Sequence, residues 1–197
     1  MNEPDPAHVT LTERERMLRG LLYRPYDQAL VEERLRARRL VQAFNDAASD
    51  DAAHRTQILQ ELLGGCGQRV IIEPPFRCDY GTNIVIGDDT FINFNCVVLD
   101  CAEIRIGARV LIASGVQILA ATHPLDVKTR RSGRELARPV TIGSDVWLGA
   151  GVIVNPGVSI GEGSVIGSGS VVTSDVPPNV VAVGNPCRVL RPLPLPD

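Results

Sequence analysis

The chain has 197 residues, 44% of them apolar, and a formal net charge of -3 from 20 basic and 23 acidic side chains. That size supports one compact core, and the near-balanced charge, with no long run of one sign, describes a soluble globular protein and excludes a dedicated nucleic-acid binder. No apolar stretch approaches the roughly 20 residues of a membrane helix, and the polar start Met1–Thr12 has no signal-peptide core, so a cytoplasmic location without a membrane partner is expected.

Residues 1 to about 11, which include His8, read as unstructured. A first helix is predicted from Thr12, which caps it with Glu15 three residues on, through Met17, Leu18, Leu21 and Leu22, until Tyr23-Arg24-Pro25-Tyr26-Asp27 breaks it. A second runs from Asp27 or Ala29 to Phe44, with Leu30, Leu35, Leu40, Val41 and Phe44 on one side. A third starts near Asp51, carries Ile58, Leu59, Leu62 and Leu63 on its apolar face, and closes at Gly64-Gly65. Residues 1–66 are therefore predicted to form a helical segment.

Beyond Val70 the pattern changes to period two and then to six. Ile86, Ile92 and Val98 share one frame; Ile106, Ile112 and Ile118 share another, shifted by two residues, which predicts a bulge or longer corner near Ala102–Arg105. From Leu119 to Pro139 the repeat stops. It resumes without a slip at Ile142, Leu148, Val154, Ile160, Ile166 and Val172, four of them followed by Gly, with small or β-branched residues at Val146, Val152, Val158, Ser164 and Ser170. A period of six suits short strands joined by corners, each strand sending one apolar residue to a shared axis, so a mainly β fold is predicted in which residues 67–186 coil as a parallel β-helix. The glycines and Asn155-Pro156-Gly157 are assigned to corners that need unusual φ. Residues 187–197 read as a tail.

The five cysteines have no metal-ligand spacing and read as reduced, small apolar residues. Of three histidines, His8 and His54 are assigned no catalytic role. His123 stands at the entrance to the 119–139 excursion, held extended by Pro124. A long irregular insertion in a regular coil is usually functional, and a histidine on such a loop suits a general base.

These residues carry a resemblance. The start MLRGLLYRPYDQALVEERLRAR, the stretch IIEPPFRCDYGTNIVIGDDTFINFNCVVLD, the THP loop, Gly-Ser-Asp-Val-Trp-Leu-Gly and the ending PPNVVAVGNPCRVLR together resemble the maltose and galactoside O-acetyltransferase family of hexapeptide-repeat acetyltransferases. The resemblance implies a left-handed β-helix behind a small helical domain, and direct acetyl transfer from acetyl-CoA to a sugar hydroxyl, with His123 as base and no metal. It places Arg34, Asp79, Phe91 and Asn93 at the acceptor, and Asn93 with a backbone N–H near Ala150 at the developing oxyanion. Trp147, Ala150, Ser168, Thr173, Ser174, Arg188 and Arg191 fall at the CoA positions, and a homotrimer with active sites between chains is implied. The galactoside branch has acids where this chain has Pro25 and Cys101, serine at Asp79 and tyrosine at Phe91, so the maltose branch reads closer. The alternatives are a non-sugar acceptor, a metal enzyme on the same coil, which would need three histidines, and a non-catalytic scaffold.

Overall fold

The computed structural model describes residues 11–194; His8 and the last three residues lie outside that range. Three helices precede the coil: α1 (Glu13–Leu18), α2 (Gln28–Asp46) and α3 (Ala52–Leu62). The Thr12–Glu15 capping box forms, with Thr12 Oγ1 accepting from Glu15 N at 3.1 Å and Glu15 Oε2 accepting from Thr12 N at 2.8 Å. Asp27 and Asp51 cap the other two helices through Ala29 N and His54 N. α1 ends four residues earlier than its apolar pattern predicts. Gly20 takes φ +67°, and Gly20 N and Leu21 N close back onto the carbonyls of Met17 and Arg16, which terminates the helix and leaves Leu21 exposed. Leu35 also departs from its predicted apolar face: Leu30, Ala37, Val41 and Phe44 are buried, while Leu35 is exposed.

Strand pairing starts at Gly65–Cys66 and winds into a triangular coil of parallel strands. One face stacks Gly65–Cys66, Ile84–Ile86, Ile104–Ile106, Val140–Ile142 and Ser159–Ile160. The second stacks Ile71–Ile72, Phe91–Ile92, Leu111–Ile112, Trp147–Leu148, Val165–Ile166 and Val180–Val183, and Arg188–Pro192 closes it antiparallel, so the predicted tail is an edge strand. The third stacks Phe76–Cys78, Cys96–Leu99, Gln117–Leu119, Ile153–Val154 and Val171–Val172. Each hexad aliphatic points inward: Ile142, Leu148, Val154, Ile160, Ile166 and Val172 are at most 1% exposed. The intervening positions are small enough to fit, and the hydroxyls of Thr90, Ser164 and Ser170 are satisfied inside by backbone carbonyls.

The frame shift is a longer corner. Ile86 pairs with Ile106 and Ile142 with Ile160, so early turns hold two residues more than late ones. Those residues sit in the corner before Ile104, and the strands on either side pair without a bulge. The hexad glycines have a different cause from the predicted one. Gly143, Gly149 and Gly161 have ordinary φ, but a Cβ on any of them would meet the backbone of the next turn at 2.3–2.6 Å. Close stacking of turns excludes a side chain there. The left-handed positions lie elsewhere, and on one corner Arg69, Asp89, Arg109 and Asp145 all adopt φ of 55–61°. Their side chains alternate in sign and pair as Arg69–Asp89 and Arg109–Asp145.

Candidate active site

The longer corners stack on one edge of the coil, after the third face and before the first. Asp79–Asn83 lies in one turn, Asp100–Glu103 in the next, and the excursion leaves the coil directly after them. The excursion is ordered: Ala121–Thr122 pairs antiparallel with Leu136–Ala137, and a short helix α4 (Val127–Arg131) caps the hairpin. The connection between α1 and α2 docks on its return strand. Tyr23 and Glu135 exchange both backbone hydrogen bonds at 3.1 Å, and the Tyr23 hydroxyl donates to Glu135 Oε2 at 2.9 Å. α2, the stacked corners and the base of the hairpin enclose a cleft of about 400 Å³.

His123 opens into this cleft from the end of the hairpin's first strand, and Asp79, Arg34, Glu135 and Cys101 line it with it. The His123 ring has no hydrogen-bond partner among the described residues, which leaves both nitrogens free for a ligand. Arg34 is a clamp: Nη1 donates to the Tyr80 hydroxyl at 2.6 Å, Nη2 donates to the Pro25 carbonyl, and the guanidinium lies 5.6 Å from the centroid of the Tyr80 ring. It thereby ties α2 to both the Tyr23–Asp27 connection and the lower corner. Asp79 accepts from the Cys101 thiol at 3.4 Å. Burial raises the Asp79 carboxyl above the ordinary range, opposed by the Cys101 bond and by Arg34. The same burial, reinforced by Asp79, pushes the Cys101 thiol far up, so Cys101 acts as a neutral donor and not as a nucleophile.

Asp100, fully buried beneath the cleft, holds the corner that presents Asp79 and Tyr80. Its Oδ1 accepts from Asp79 N at 3.0 Å and Tyr80 N at 2.8 Å, and its Oδ2 accepts from Asn83 N at 3.2 Å. Burial nevertheless dominates and raises its pKa to about 6.

The structure divides the sequence-predicted residues into two groups. His123, Asp79 and Arg34 meet in the cleft; Phe91 and Asn93 do not line it. Asn93 sits on the corner between the second and third faces, where its Oδ1 accepts from Phe94 N at 2.7 Å and its amide NH2 has no acceptor among the described residues. Ala150 and the exposed Ser168 lie on that same corner in later turns, as the bonds Ala113 N to Leu148 O, Gly151 N to Ser114 O and Gly169 N to Ala150 O show. Phe91 and Trp147 both project from the second face, in register through Leu111. They belong to a continuous outward row, Ile71, Phe91, Leu111, Trp147, Val165 and Val181, in which Ile71, Leu111 and Trp147 are each about half exposed. Thr173 and Ser174 are exposed on the edge that carries the cleft, several turns along, and Arg188 and Arg191 are exposed on the closing strand of the second face.

Sequence reasoning missed Glu135, Tyr80, Arg38 and Asp100. Glu135 looked like one charge among many in a polar loop, and only the hairpin's antiparallel register brings it to Tyr23. Asp100 had a readable signal: an acid at the end of the aliphatic run CVVL, at the point where the hexad frame breaks.

Residues 16–67 match the maltose acetyltransferase hexapeptide capping motif, and residues 139–174 match the bacterial transferase hexapeptide model of six repeats. The chain is 41% identical over 177 residues to galactoside O-acetyltransferase of Escherichia coli, covering 90% of this chain and 87% of that one. It superposes on a maltose O-acetyltransferase from Clostridium difficile 630 with a TM-score of 0.93 at 47% identity, covering 94% of this chain and 99% of the other. A hexapeptide-repeat acetyltransferase from Vibrio cholerae, solved with acetyl coenzyme A, gives a TM-score of 0.87 at 40% identity over 94% of this chain and all of that one. With the repeats forming the coil, the capping motif covering the end of α1 and all of α2 and α3, and relatives matching across nearly the whole length, the chain belongs to the maltose and galactoside O-acetyltransferase family of hexapeptide-repeat acetyltransferases, with their left-handed β-helix.

Proposed function

We propose that the protein transfers the acetyl group of acetyl-CoA directly to a hydroxyl of a sugar, such as maltose, glucose or a galactoside, with His123 as general base. The observation that carries this reading is the cleft itself, which the His123 imidazole, without a hydrogen-bond partner among the described residues, lines together with two carboxylates, Asp79 and Glu135, around a space sized for a small polar ligand. Carboxylates accept from pairs of sugar hydroxyls, and the imidazole takes the proton of the hydroxyl that attacks the thioester carbon. The carbonyl oxygen becomes an oxyanion, the carbonyl re-forms, and CoA leaves as the thiol. No acyl-enzyme is required, and the cleft's one thiol, Cys101, is held neutral.

The Asn93 amide and the Ala150 N–H, which has no backbone acceptor among the described residues, suit the oxyanion. They lie on a different edge from His123, so one chain holds half of the site. A homotrimer with the site between chains reconciles the two halves, and the outward apolar row from Ile71 to Val181 is the surface it would bury. Trp147, Ser168, Thr173, Ser174 and the guanidiniums of Arg188 and Arg191 are exposed toward a CoA lying between subunits, where arginine forks suit phosphate.

The test is an acceptor panel that follows release of the CoA thiol, run with wild type and His123→Ala. Turnover with a sugar and a loss of at least about a hundredfold in kcat, with an unchanged circular dichroism spectrum, is the expected result. Full activity in the variant would sink the role assigned to His123.

A further inference from the structure

Resting on that function, we propose that the acceptor site extends beyond the His123 cleft into an adjoining groove that seats a second sugar ring, making a glycan of two or more rings the preferred acceptor. The groove, of about 670 Å³, runs between α2 and the third face of the coil. It adjoins the cleft, and Asp79 and Arg38 line both.

Its construction suits a pyranose. The floor is aliphatic, made of Val97 and Leu99, the two outward residues of strand Cys96–Leu99. The rims are polar: Arg38 and Gln42 stand along one side on α2, and the exposed Arg77 faces them from strand Phe76–Cys78. A sugar ring has an apolar C–H face and a polar hydroxyl edge, so it can lie on Val97 and Leu99 while its hydroxyls reach the guanidiniums and the amide. The width is set before any ligand arrives. Asn45 of α2 donates to the Phe76 carbonyl at 3.0 Å and accepts from Phe76 N at 2.9 Å, which pins the helix to the strand. Such preorganisation removes an ordering cost from binding. An acceptor with its reacting hydroxyl at His123 and its ring at Asp79 can thus continue over Asp79 and along the groove.

The experiment compares matched acceptors on the full-length protein with acetyl-CoA: glucose against maltose and cellobiose, galactose against lactose, and N-acetylglucosamine against its β-1,4 dimer. At least one disaccharide is expected to exceed its monosaccharide by about tenfold in kcat/KM, mainly through KM, equivalent to about 1.4 kcal/mol of added binding. Gln42→Ala combined with Arg77→Ala, and separately Leu99→Asp, should remove that advantage while leaving monosaccharide turnover within about twofold. Equal kcat/KM within every pair overturns the inference and leaves the acetyltransferase reading standing. Variants that depress both members of a pair alike also overturn it, since they then act on folding or on the cleft. Absence of turnover with every sugar overturns the function and this inference together.

Discussion

The carboxyl of Asp100 is pulled in two directions, and replacing it with asparagine shows which one wins. Three backbone N–H groups favour its charged form, while complete burial favours its neutral form. Burial prevails, moving the pKa from 3.8 to about 6, which corresponds to about 3 kcal/mol between the two forms. An acid whose folded pKa lies above its unfolded value binds more protons folded than unfolded between the two values. Its contribution to stability therefore falls as pH rises, here between roughly 4 and 6. Asparagine resembles the protonated acid. Its oxygen can keep the bonds from Asp79 N and Tyr80 N, but its NH2 meets Asn83 N donor to donor, at a cost of about 1–3 kcal/mol that a protonated Oδ2, still able to accept, avoids. Asp100→Asn should thus be less stable than wild type near pH 4 by the cost of the lost Asn83 bond and gain on it by up to about 3 kcal/mol as pH rises to 7. Its acceptor kcat/KM should be lower, because the lost Asn83 bond loosens the corner that carries Asp79. Urea unfolding of both proteins across pH 4 to 8, at fixed protein concentration, measures the difference. A variant that loses stability relative to wild type as pH rises from 4 to 7 would refute the reasoning, since the three N–H bonds would then outweigh burial.

Two further outcomes follow from the coil. Gly161→Ala puts a Cβ 2.3 Å from Pro178 N in the next turn, an atom of the backbone that cannot swing aside; we expect a loss of about 3 kcal/mol or more, read as a lowered thermal midpoint, and a midpoint within about a degree of wild type would contradict the close stacking. Leu111→Asp places a carboxylate in the middle of the outward apolar row between Phe91 and Trp147; sedimentation should show wild type as a trimer and this variant as a monomer, whereas a monomeric wild type would remove the proposed composite site.

The coil was legible because its information is local. An inward aliphatic every six residues, with small residues between, specifies strand length, facing and corner without reference to distant parts of the chain, and the break in frame before Ile104 reported the longer corner directly. Capping chemistry was equally local: Thr12, Asp27 and Asp51 each start a helix through a bond to a residue two or three positions on. Gly20 was the local signal passed over, since apolar periodicity through Leu22 outvoted a glycine able to take φ +67°.

The cleft belongs to another class of information. Tyr23, Arg34, Asp79, Cys101, His123 and Glu135 come from five separate segments, and their meeting depends on the docking of α2, the antiparallel register of the excursion and the stacking of two corners. No periodicity in the chain encodes those contacts, because each is set by burial and hydrogen bonding between elements distant in sequence. By itself the sequence determined the period, and with it the β-helix, its helical cap and the place where the repeat fails. Only the tertiary structure decided that Arg34 is a clamp, that Asp100 supports Asp79 from beneath, and that Phe91 on the second face and Asn93 on the corner after it stand apart from His123. The physical reason is the coil's triangular section: residues a few positions apart in one turn face different edges, while residues a whole turn apart share one.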